Sequence, residues 1–232
     1  VATEYVAFVD NDVEVSAGWL AHLVACAEET GASAVSPLVF EGTLENQVIH
    51  LFGGHLKFTD ERGARGFHEV HLFNGQTVDE VASEIRRMPT DFFEFHCVLV
   101  RRDVLDTVGP CDERLLSLQE HLDLSLLIRQ AGGTVYVEPR SRVGFPSDGL
   151  LDRHDIAYAR LRWSADWNRR STQHFAEKWN IDPAAVWVAA SINWGNGYGE
   201  HLERMRYRPM SLAKLVARRV LSRRAYAALR DL

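Results

Sequence analysis

A short apolar run that ends in two carboxylates is the feature that most constrains this chain. Residues 5–9 read YVAFV, which predicts a buried β-strand, and Asp10 and Asp12 follow it one residue apart. Carboxylates at a strand end can converge on one point if the chain turns there, and their oxygens suit Mg²⁺ or Mn²⁺. Asp-Asn-Asp also fits an ordinary turn, in which Asx side chains bond nearby backbone, so both interpretations stay open.

The elements that follow the acidic pair predict α/β organisation. Ser16 is a candidate N-cap, and Gly31 is a candidate C-terminal stop for the helix between them. Residues 34–40 are again apolar and predict a second strand. The order of strand, acidic pair, helix and strand places the acids at the carboxyl end of a strand, where open α/β sheets bind ligands.

Several ordered motifs resemble family 2 glycosyltransferases, which have the GT-A fold. They are FVDNDVEVSAGWLAHLV, the Gly53-Gly54 pair after VIHLF, Asp91-Phe92 leading into CVLVRR, then VGPCDERL, EHLDLSLLIRQAGG and VYVEP. Together they span roughly residues 5 to 145, and an ordered series is more specific than any single motif. The resemblance implies a Rossmann-like mixed sheet and transfer of a sugar from a nucleotide diphosphate donor to an acceptor hydroxyl.

The same resemblance implies the cofactor and partners. Asp10 and Asp12 would hold Mg²⁺ or Mn²⁺, the donor would be a nucleotide sugar, and the acceptor a glycan or lipid-linked glycan in polysaccharide or glycoconjugate synthesis. Inversion at the anomeric carbon is implied as well. Processive relatives carry Gln-x-x-Arg-Trp, whereas this chain has Ala159 where the glutamine would stand before Arg162-Trp163, which favours a non-processive enzyme.

The resemblance also suggests how the chain is divided. Family members usually have a further part of the domain before the Asp-x-Asp strand, so we expect residues 1–150 to be the C-terminal part of an N-terminally incomplete GT-A domain. Asp152 is a candidate cap for a helix whose apolar residues recur at helical spacing through Trp163 and Trp167. A second helix follows it, which predicts a helical extension over 151–200. The glycine-rich segment 193–199 predicts a non-helical connection to a basic amphipathic helix or tail over 201–232.

The catalytic base is expected at the start of the EHLDL helix. Family members usually have Glu-Asp there, whereas this chain has Glu120-His121, so either side chain is a candidate base. His121 ranks slightly first because its ordinary pKa lies near neutral. The structural alternative for Glu120 is a capping box with Ser117, and for His121 an exposed first turn. Asp123 is expected to contact substrate or to brace the helix.

The segment 92–100 predicts a strand in which Glu94 and His96 face the same side. With Asp91, they are predicted to line the substrate site and to bind donor or acceptor hydroxyls; the alternative is the polar face of an outer strand. Family members usually have a small pair where this chain has Phe95-His96.

A second departure from the family pattern follows VYVEP, where members often have a metal-binding histidine and this chain reads Arg-Val-Gly-Phe over 142–145. Metal binding would then depend on Asp12, the donor diphosphate and water. A non-catalytic relative that binds nucleotide sugar or glycan remains the alternative function.

Four histidines between residues 50 and 71, within a region that predicts hairpins and loops, raise the question of a second metal site. His68 and His71 would lie on opposite faces of a strand, which opposes joint ligation, so surface polar roles are the expectation for this group.

The charge distribution indicates which partners the chain could bind, and the cysteine content indicates its compartment. Residues 204–232 hold nine Lys or Arg and one acid, although the whole chain has a net charge of −6. The predicted basic helix suits either peripheral contact with anionic membrane or packing on the acidic body. No nucleic-acid-binding motif accompanies it. Three cysteines without CxxC spacing favour a reducing, cytoplasmic location. The basic segment favours a peripheral position at the inner membrane face. A membrane-surface interaction module, with the Asp pair as a turn, is a further alternative.

Overall fold

The computed structural model describes residues 3–61, 63–116, 118–145 and 156–206, and it has a mixed α/β fold, as predicted. The strands are β1 (Tyr5–Val9), β2 (Glu14–Val15), β3 (Ala34–Glu41), β4 (Ile49–Leu51), β5 (Gly54–Glu61), β6 (Ala64–His71), β7 (Met88–Thr90), β8 (Cys97–Arg101) and β9 (Val135–Phe145). The helices are α1 (Trp19–Thr30), α2 (Arg102–Val108), α3 (Glu120–Gln130), α4 (Ile156–Arg162), α5 (Ala165–Lys178) and α6 (Val186–Arg206).

A central parallel pair organises the main sheet. β3 and β9 run parallel from Ala34 opposite Val135 to Glu41 opposite Phe145. β8 is antiparallel to the start of β3, and β1 is antiparallel to β8. Short strands complete the sheet: β4 pairs with the end of β3, while β7 and β2 pair with β9. β5 and β6 form a separate two-stranded hairpin, as the sequence predicted for this region.

Helices cover the sheet through apolar side chains that alternate between its faces. Leu23 and Cys26 of α1 share a buried core with Val35 and Leu99. Ala34 and the β8 valines, with the opposite parity, pack with Leu124 and Ile128 of α3 in a second core. Period-2 alternation in β3 and β8 therefore gives each helix its own apolar surface.

The predicted α1 helix is confirmed, but its start differs from the prediction. Gly31 ends the helix in the left-handed conformation at φ 70°, which glycine adopts at little cost. The N-cap is Gly18 and not Ser16. The Ser16 hydroxyl instead accepts a hydrogen bond from the backbone N–H of Arg142 at 3.1 Å, so it joins the loop after β1 to β9.

Two strand predictions were wrong in part. β1 is an edge strand that pairs only with β8 among the described strands, and Val9 is 43% exposed, so the apolar run is not fully buried. The strand predicted over 92–100 begins only at Cys97. Phe92 and Phe93 are fully buried without belonging to a strand, because they fill core space from a loop.

The C-terminal described region consists of three helices. The single helix predicted through Trp163 and Trp167 is broken, because Ser164 caps α5 by accepting a hydrogen bond from the Trp167 N–H at 3.2 Å. The segment 193–199, predicted to be non-helical, lies inside α6. Asp152 lies outside the described residues.

Close packing explains why α6 tolerates glycine. A Cβ at Gly195 would lie 2.5 Å from side-chain atoms of Asn168, and one at Gly199 would lie 2.5 Å from the Trp163 carbonyl oxygen. Asn168 is fully buried on α5 and donates to the Ile192 carbonyl at 2.7 Å. The glycines therefore let α6 approach the preceding helices, and this tertiary contact outweighs their poor helix propensity.

The first prediction compares two helical glycines. We expect Gly195→Ala to lower the free energy of unfolding by about 1–3 kcal/mol, because the added methyl group overlaps Asn168. Gly197 has no atom within 4 Å of its would-be Cβ, so Gly197→Ala should raise stability by roughly 0.5–1 kcal/mol. Urea unfolding measures both changes. Equal stability of the two variants would contradict the packing of α6 on α5.

A buried carboxylate joins β9 to neighbouring elements. Glu138 is 1% exposed, and it accepts hydrogen bonds from Arg87 Nε at 2.7 Å and Arg140 Nε at 2.9 Å. Arg87 also pairs with Glu29 of α1. Burial alone would raise the pKa of Glu138, but the bonds from Arg140 and Arg87 outweigh it and lower the pKa from 4.5 to about 2.

The second prediction concerns acid stability. A lowered native pKa means that Glu138 stabilises the fold above its unfolded pKa, and that this contribution is lost as pH falls from about 4.5 to about 2. We expect Glu138→Gln to lower the unfolding free energy at neutral pH by on the order of 3 kcal/mol, and to flatten its pH dependence in that window. Denaturation at several pH values measures both. The exposed Glu45→Gln variant should follow the wild-type curve.

Among the described residues, no helix is both long enough and apolar enough to cross a bilayer. The predicted basic segment 204–232 lies outside the described residues beyond Arg206.

Candidate active site

Strand polarity brings several chain segments to one edge of the sheet. β1 and β3 are both antiparallel to β8, so they run parallel to each other and to β9. Asp10 follows β1, while Glu41 and Phe145 end β3 and β9. His96 precedes β8, which runs the other way and therefore starts at this edge, and its carbonyl accepts from the Asp10 N–H at 3.1 Å.

Two imidazoles meet one carboxylate at this edge. Glu94 Oε2 lies 3.1 Å from His50 Nε2 and 3.2 Å from His96 Nε2. We call His50, Glu94 and His96 the His–Glu–His cluster. His50 comes from β4, and the other two come from the loop before β8. The cluster therefore joins residues that are 44 positions apart in sequence.

Outer carboxylates face the second nitrogen of each ring in the cluster. His96 Nδ1 lies 3.1 Å from Asp10 Oδ2, and His50 Nδ1 lies 3.9 Å from Glu41 Oε1. The Phe145 ring stacks on His96 with centroids 3.9 Å apart and covers one face of the imidazole. The chain Asp10–His96–Glu94–His50–Glu41 therefore alternates carboxylates and imidazoles across the sheet edge.

The pKa values in the cluster follow from this alternation. Burial alone would raise the pKa of Glu94, but hydrogen bonds from His50 and His96 and their charges hold it well below its ordinary value. Burial would lower the pKa of His96, but hydrogen bonds to Asp10 and Glu94 raise it to about 9. With this pKa, the His96 ring carries a positive charge at neutral pH.

The two acids of the predicted metal pair have different surroundings. Asp10 bonds to His96, although its side chain is 44% exposed. Asp12 is exposed and lies close enough to Tyr198 of α6 to affect its titration. The pKa of Tyr198 is raised mainly by burial, with Arg162 opposing and Asp12 adding to the effect. The structure thus places Asp12 towards the helical region and Asp10 towards the cluster.

Glu120 is linked to the same region through Arg162. One Glu120 oxygen lies 3.8 Å from Arg162 Nη2, and the other is buried and has no hydrogen-bond partner among the described residues. Arg162 in turn lies near enough to lower the Tyr198 pKa. Glu120, Arg162, Tyr198 and Asp12 are therefore related by one ion pair and two longer-range electrostatic effects, in a series from the start of α3 to the acidic pair.

The capping-box alternative for Glu120 is wrong. α3 begins at Glu120, and its N-cap is Gln119 in the left-handed conformation at φ 70°, without a side-chain cap. Glu120 is therefore the first helical residue and not the third, which a capping box requires. His121 follows it and is half-buried; its Nε2 has no hydrogen-bond partner among the described residues.

Asp91 and Asp123 are engaged by protein groups. Asp91 accepts from the Leu56 N–H at 2.9 Å and pairs with Arg129 at 3.2 Å. Asp123 is 2% exposed and accepts from Lys178 Nζ at 2.8 Å and Trp179 Nε1 at 2.9 Å. The predicted bracing role of Asp123 matches this arrangement, in which it holds α3 against α5. Both carboxylates stabilise the fold around the candidate site.

An aromatic cluster of Trp163, Trp194 and Tyr198 lies beside the series from Glu120 to Asp12. The Trp163 and Tyr198 ring centroids are 4.3 Å apart, and Trp194 lies 5.8 Å from each of them. Trp194 is 59% exposed, which is unusual for a residue with so large an apolar surface. Neighbouring Arg162 approaches the Trp163 ring. This cluster offers an aromatic face to solvent next to polar side chains.

Sequence reasoning named part of this arrangement. It predicted Asp10, Asp12, Glu94, His96 and Glu120, and the structure brings the first four to one sheet edge. It did not predict the surroundings of His50, Phe145, Arg162 and Tyr198. His50 was noted only as one of four histidines, and nothing local in the sequence signals its pairing with Glu94.

Comparison with known proteins adds a likeness of fold. No family model and no curated protein matches the chain. Among solved structures, it is similar to a crystal structure of GalNAc-T7 with UDP, GalNAc and Mn²⁺, with 18% sequence identity and a TM-score of 0.44. The match covers 82% of this chain and 40% of that chain, so this chain spans less than half of that protein's length. At this level of likeness we transfer neither ligands nor residue roles.

Proposed function

We propose that the protein is a glycosyltransferase that moves a sugar from a nucleotide diphosphate donor to an acceptor hydroxyl. The observation that carries the proposal is the position of Asp10 and Asp12 at the carboxyl end of β1, at the edge where β3 and β9 also end. Open sheets with parallel strands bind ligands at this edge. The ordered motifs that resemble family 2 glycosyltransferases lie on the strands and helices that form it.

The donor set at this edge fits a hard divalent cation. Asp12, helped by the oxygen of Asp10 that does not face His96, would hold Mg²⁺ or Mn²⁺, both of which prefer oxygen ligands. When bound, such an ion neutralises charge on a diphosphate leaving group. Asp12 is the better placed of the two acids, because it is exposed and Asp10 is partly committed to His96.

The acceptor would be activated at the start of α3. In a direct displacement, the acceptor oxygen forms a bond to the anomeric carbon, the bond to the diphosphate oxygen breaks, and the acceptor proton passes to a base. No covalent nucleophile is needed, and the anomeric configuration inverts. Of the two candidate bases, we favour Glu120 over His121, because Glu120 pairs with Arg162, and both Arg162 and Asp12 lie within electrostatic range of Tyr198.

The third prediction tests the metal and base roles. With a panel of nucleotide sugars and Mn²⁺ or Mg²⁺, Asp12→Ala should lower nucleotide release by about 10²–10³-fold, because charge on the leaving group is no longer neutralised. Glu120→Gln should lower kcat by roughly 10²–10⁴-fold, the range for loss of a general base. Asp103→Ala is the matched control and should retain activity, because it changes an exposed acid that follows β8 at the opposite edge of the sheet.

The same assay separates the alternatives. A full effect in His121→Gln with a small one in Glu120→Gln would move the base to His121. Metal-dependent donor binding without turnover in the wild-type chain, measured by calorimetry, would contradict the transferase and favour a nucleotide-sugar-binding protein.

We propose that the exposed Trp194 ring contributes an acceptor surface. An aromatic face packs against the apolar C–H face of a sugar ring and leaves the sugar hydroxyl groups to bond with neighbouring polar side chains. Arg162 lies beside this cluster and pairs with Glu120. A sugar acceptor stacked there would be close to the proposed base. The non-processive assignment and the use of glycan or lipid-linked acceptors are part of the same proposal.

The fourth prediction concerns this aromatic surface. Trp194→Ala should raise the acceptor KM about tenfold with little change in donor KM, because loss of one well-packed aromatic contact costs roughly 1–2 kcal/mol. Tyr158 is the matched control, since it is similarly exposed at 58% on α4. A Tyr158→Ala variant that changes the acceptor KM equally would contradict a specific role for Trp194.

We also propose that the basic segment 204–232 contacts anionic lipid at the cytoplasmic face of a membrane. The support for this contact is the excess of positive charge in the segment. Lipid-linked acceptors would be presented there.

A further inference from the structure

The His–Glu–His cluster has the donor set of a transition-metal site. Two imidazole nitrogens and one carboxylate oxygen converge, and all three ligand atoms lie within 4.8 Å of one another. Two histidines and one glutamate are a common ligand set for Zn²⁺ and related ions. Imidazole nitrogen is a poor ligand for Mg²⁺, so this set differs in kind from the oxygen pair of Asp10 and Asp12.

Two of the three ligand separations in the cluster match those expected around a shared ion. Two ligands that each lie about 2.0–2.2 Å from one metal at tetrahedral or octahedral angles are separated by roughly 3.0–3.5 Å. Glu94 Oε2 is 3.1 Å from His50 Nε2 and 3.2 Å from His96 Nε2, which is within this range. The ligand nitrogens of His50 and His96 lie within 4.8 Å of each other, and both must come into the range of roughly 3.0–3.5 Å to bind one ion.

The surroundings of the two rings provide an independent observation. Metal-bound histidines usually direct their second ring nitrogen to a carboxylate or carbonyl, which fixes the ring and its tautomer. His96 does so with Asp10 at 3.1 Å, and His50 faces Glu41 at 3.9 Å. Both rings therefore direct Nε2 inwards to Glu94 and Nδ1 outwards to a second carboxylate. Phe145 stacks on His96 and covers one face of its ring.

We propose that His50, Glu94 and His96 form a second metal site, which binds a divalent transition ion of the Zn²⁺ class. Asp10 and Glu41 are positioning residues that orient the two imidazoles. The proposal does not depend on glycosyl transfer, because the ligands and their outer carboxylates are defined by geometry alone.

The fifth prediction is tested with Co²⁺, which substitutes for Zn²⁺ and has visible absorption bands that report its ligands. After dialysis against chelator, the wild-type chain should bind one Co²⁺ without nucleotide present, and Zn²⁺ but not excess Mg²⁺ should displace it. His50→Gln and His96→Gln should each weaken Co²⁺ binding by about 100-fold or more, and Glu41→Gln by roughly 10-fold.

Two controls define the site. His55→Gln changes an exposed histidine on neighbouring β5 and should leave Co²⁺ affinity within about twofold of wild type. Asp12→Ala should retain the Co²⁺ spectrum even if it abolishes donor-dependent Mn²⁺ binding, which separates this site from the proposed catalytic one. Circular dichroism checks that each variant is folded, and stabilisation of the wild type by Zn²⁺ against heat gives a second readout. No stoichiometric Co²⁺ binding by the wild type, or binding unchanged in both histidine variants, would overturn the proposal.

Discussion

The parallel pairing of β3 with β9 is the constraint on which the candidate site depends. It fixes the direction of the two central strands, and the antiparallel steps through β8 then force β1 to run the same way. Three strands therefore end at one edge, and antiparallel β8 starts there. The polar residues next to these strand ends therefore lie close together in space, although they are far apart in the sequence. The convergence of Asp10, His96 and Phe145 is a consequence of strand polarity.

Burial of charge at this edge is tolerated because each group has an opposite partner. An isolated buried carboxylate would cost several kcal/mol, whereas Glu94 faces two imidazoles. The carboxylates on both sides of His96 raise its pKa. The Phe145 ring stacks on one face of this imidazole and keeps water from that face. The arrangement holds Asp10 in one orientation. A hydrogen-bonded chain that spans β1, β4 and the loop before β8 thereby ties the edge of the sheet together.

Local sequence signals predicted the elements that depend on local physics. Gly31 ends α1 as expected, because a left-handed C-terminal residue favours glycine. The same kind of signal failed where tertiary contacts decide. Gly195 and Gly199 suggested a loop, but close contact with Asn168 and Trp163 keeps them in a helix. Ser117 and Glu120 suggested a capping box, yet the N-cap is Gln119 in a left-handed conformation, so Glu120 is the first residue of α3.

The candidate site shows the same division. The acidic pair directly follows an apolar strand segment, which is a local sequence pattern. This pattern predicted that the two acids lie at the edge of the sheet. Glu94 and His96 were predicted to act together, but on a strand, whereas they belong to a loop that presents both side chains to His50. The contribution of His50 depends on the register of β4 against β3, which is set by long-range pairing. Neither composition nor spacing within one segment carries that information.

Asp10 and Asp12 have different surroundings, although they are only two positions apart in the sequence. In a continuing strand, residues two apart would face the same side, but the chain leaves β1 after Val9 and turns. Asp10 stays with the sheet edge and bonds to His96, whereas Asp12 comes within electrostatic reach of Tyr198 on α6. Because Asp12 is exposed and Asp10 already bonds to His96, Asp12 is the better placed of the two acids to bind the donor-bound ion that we propose.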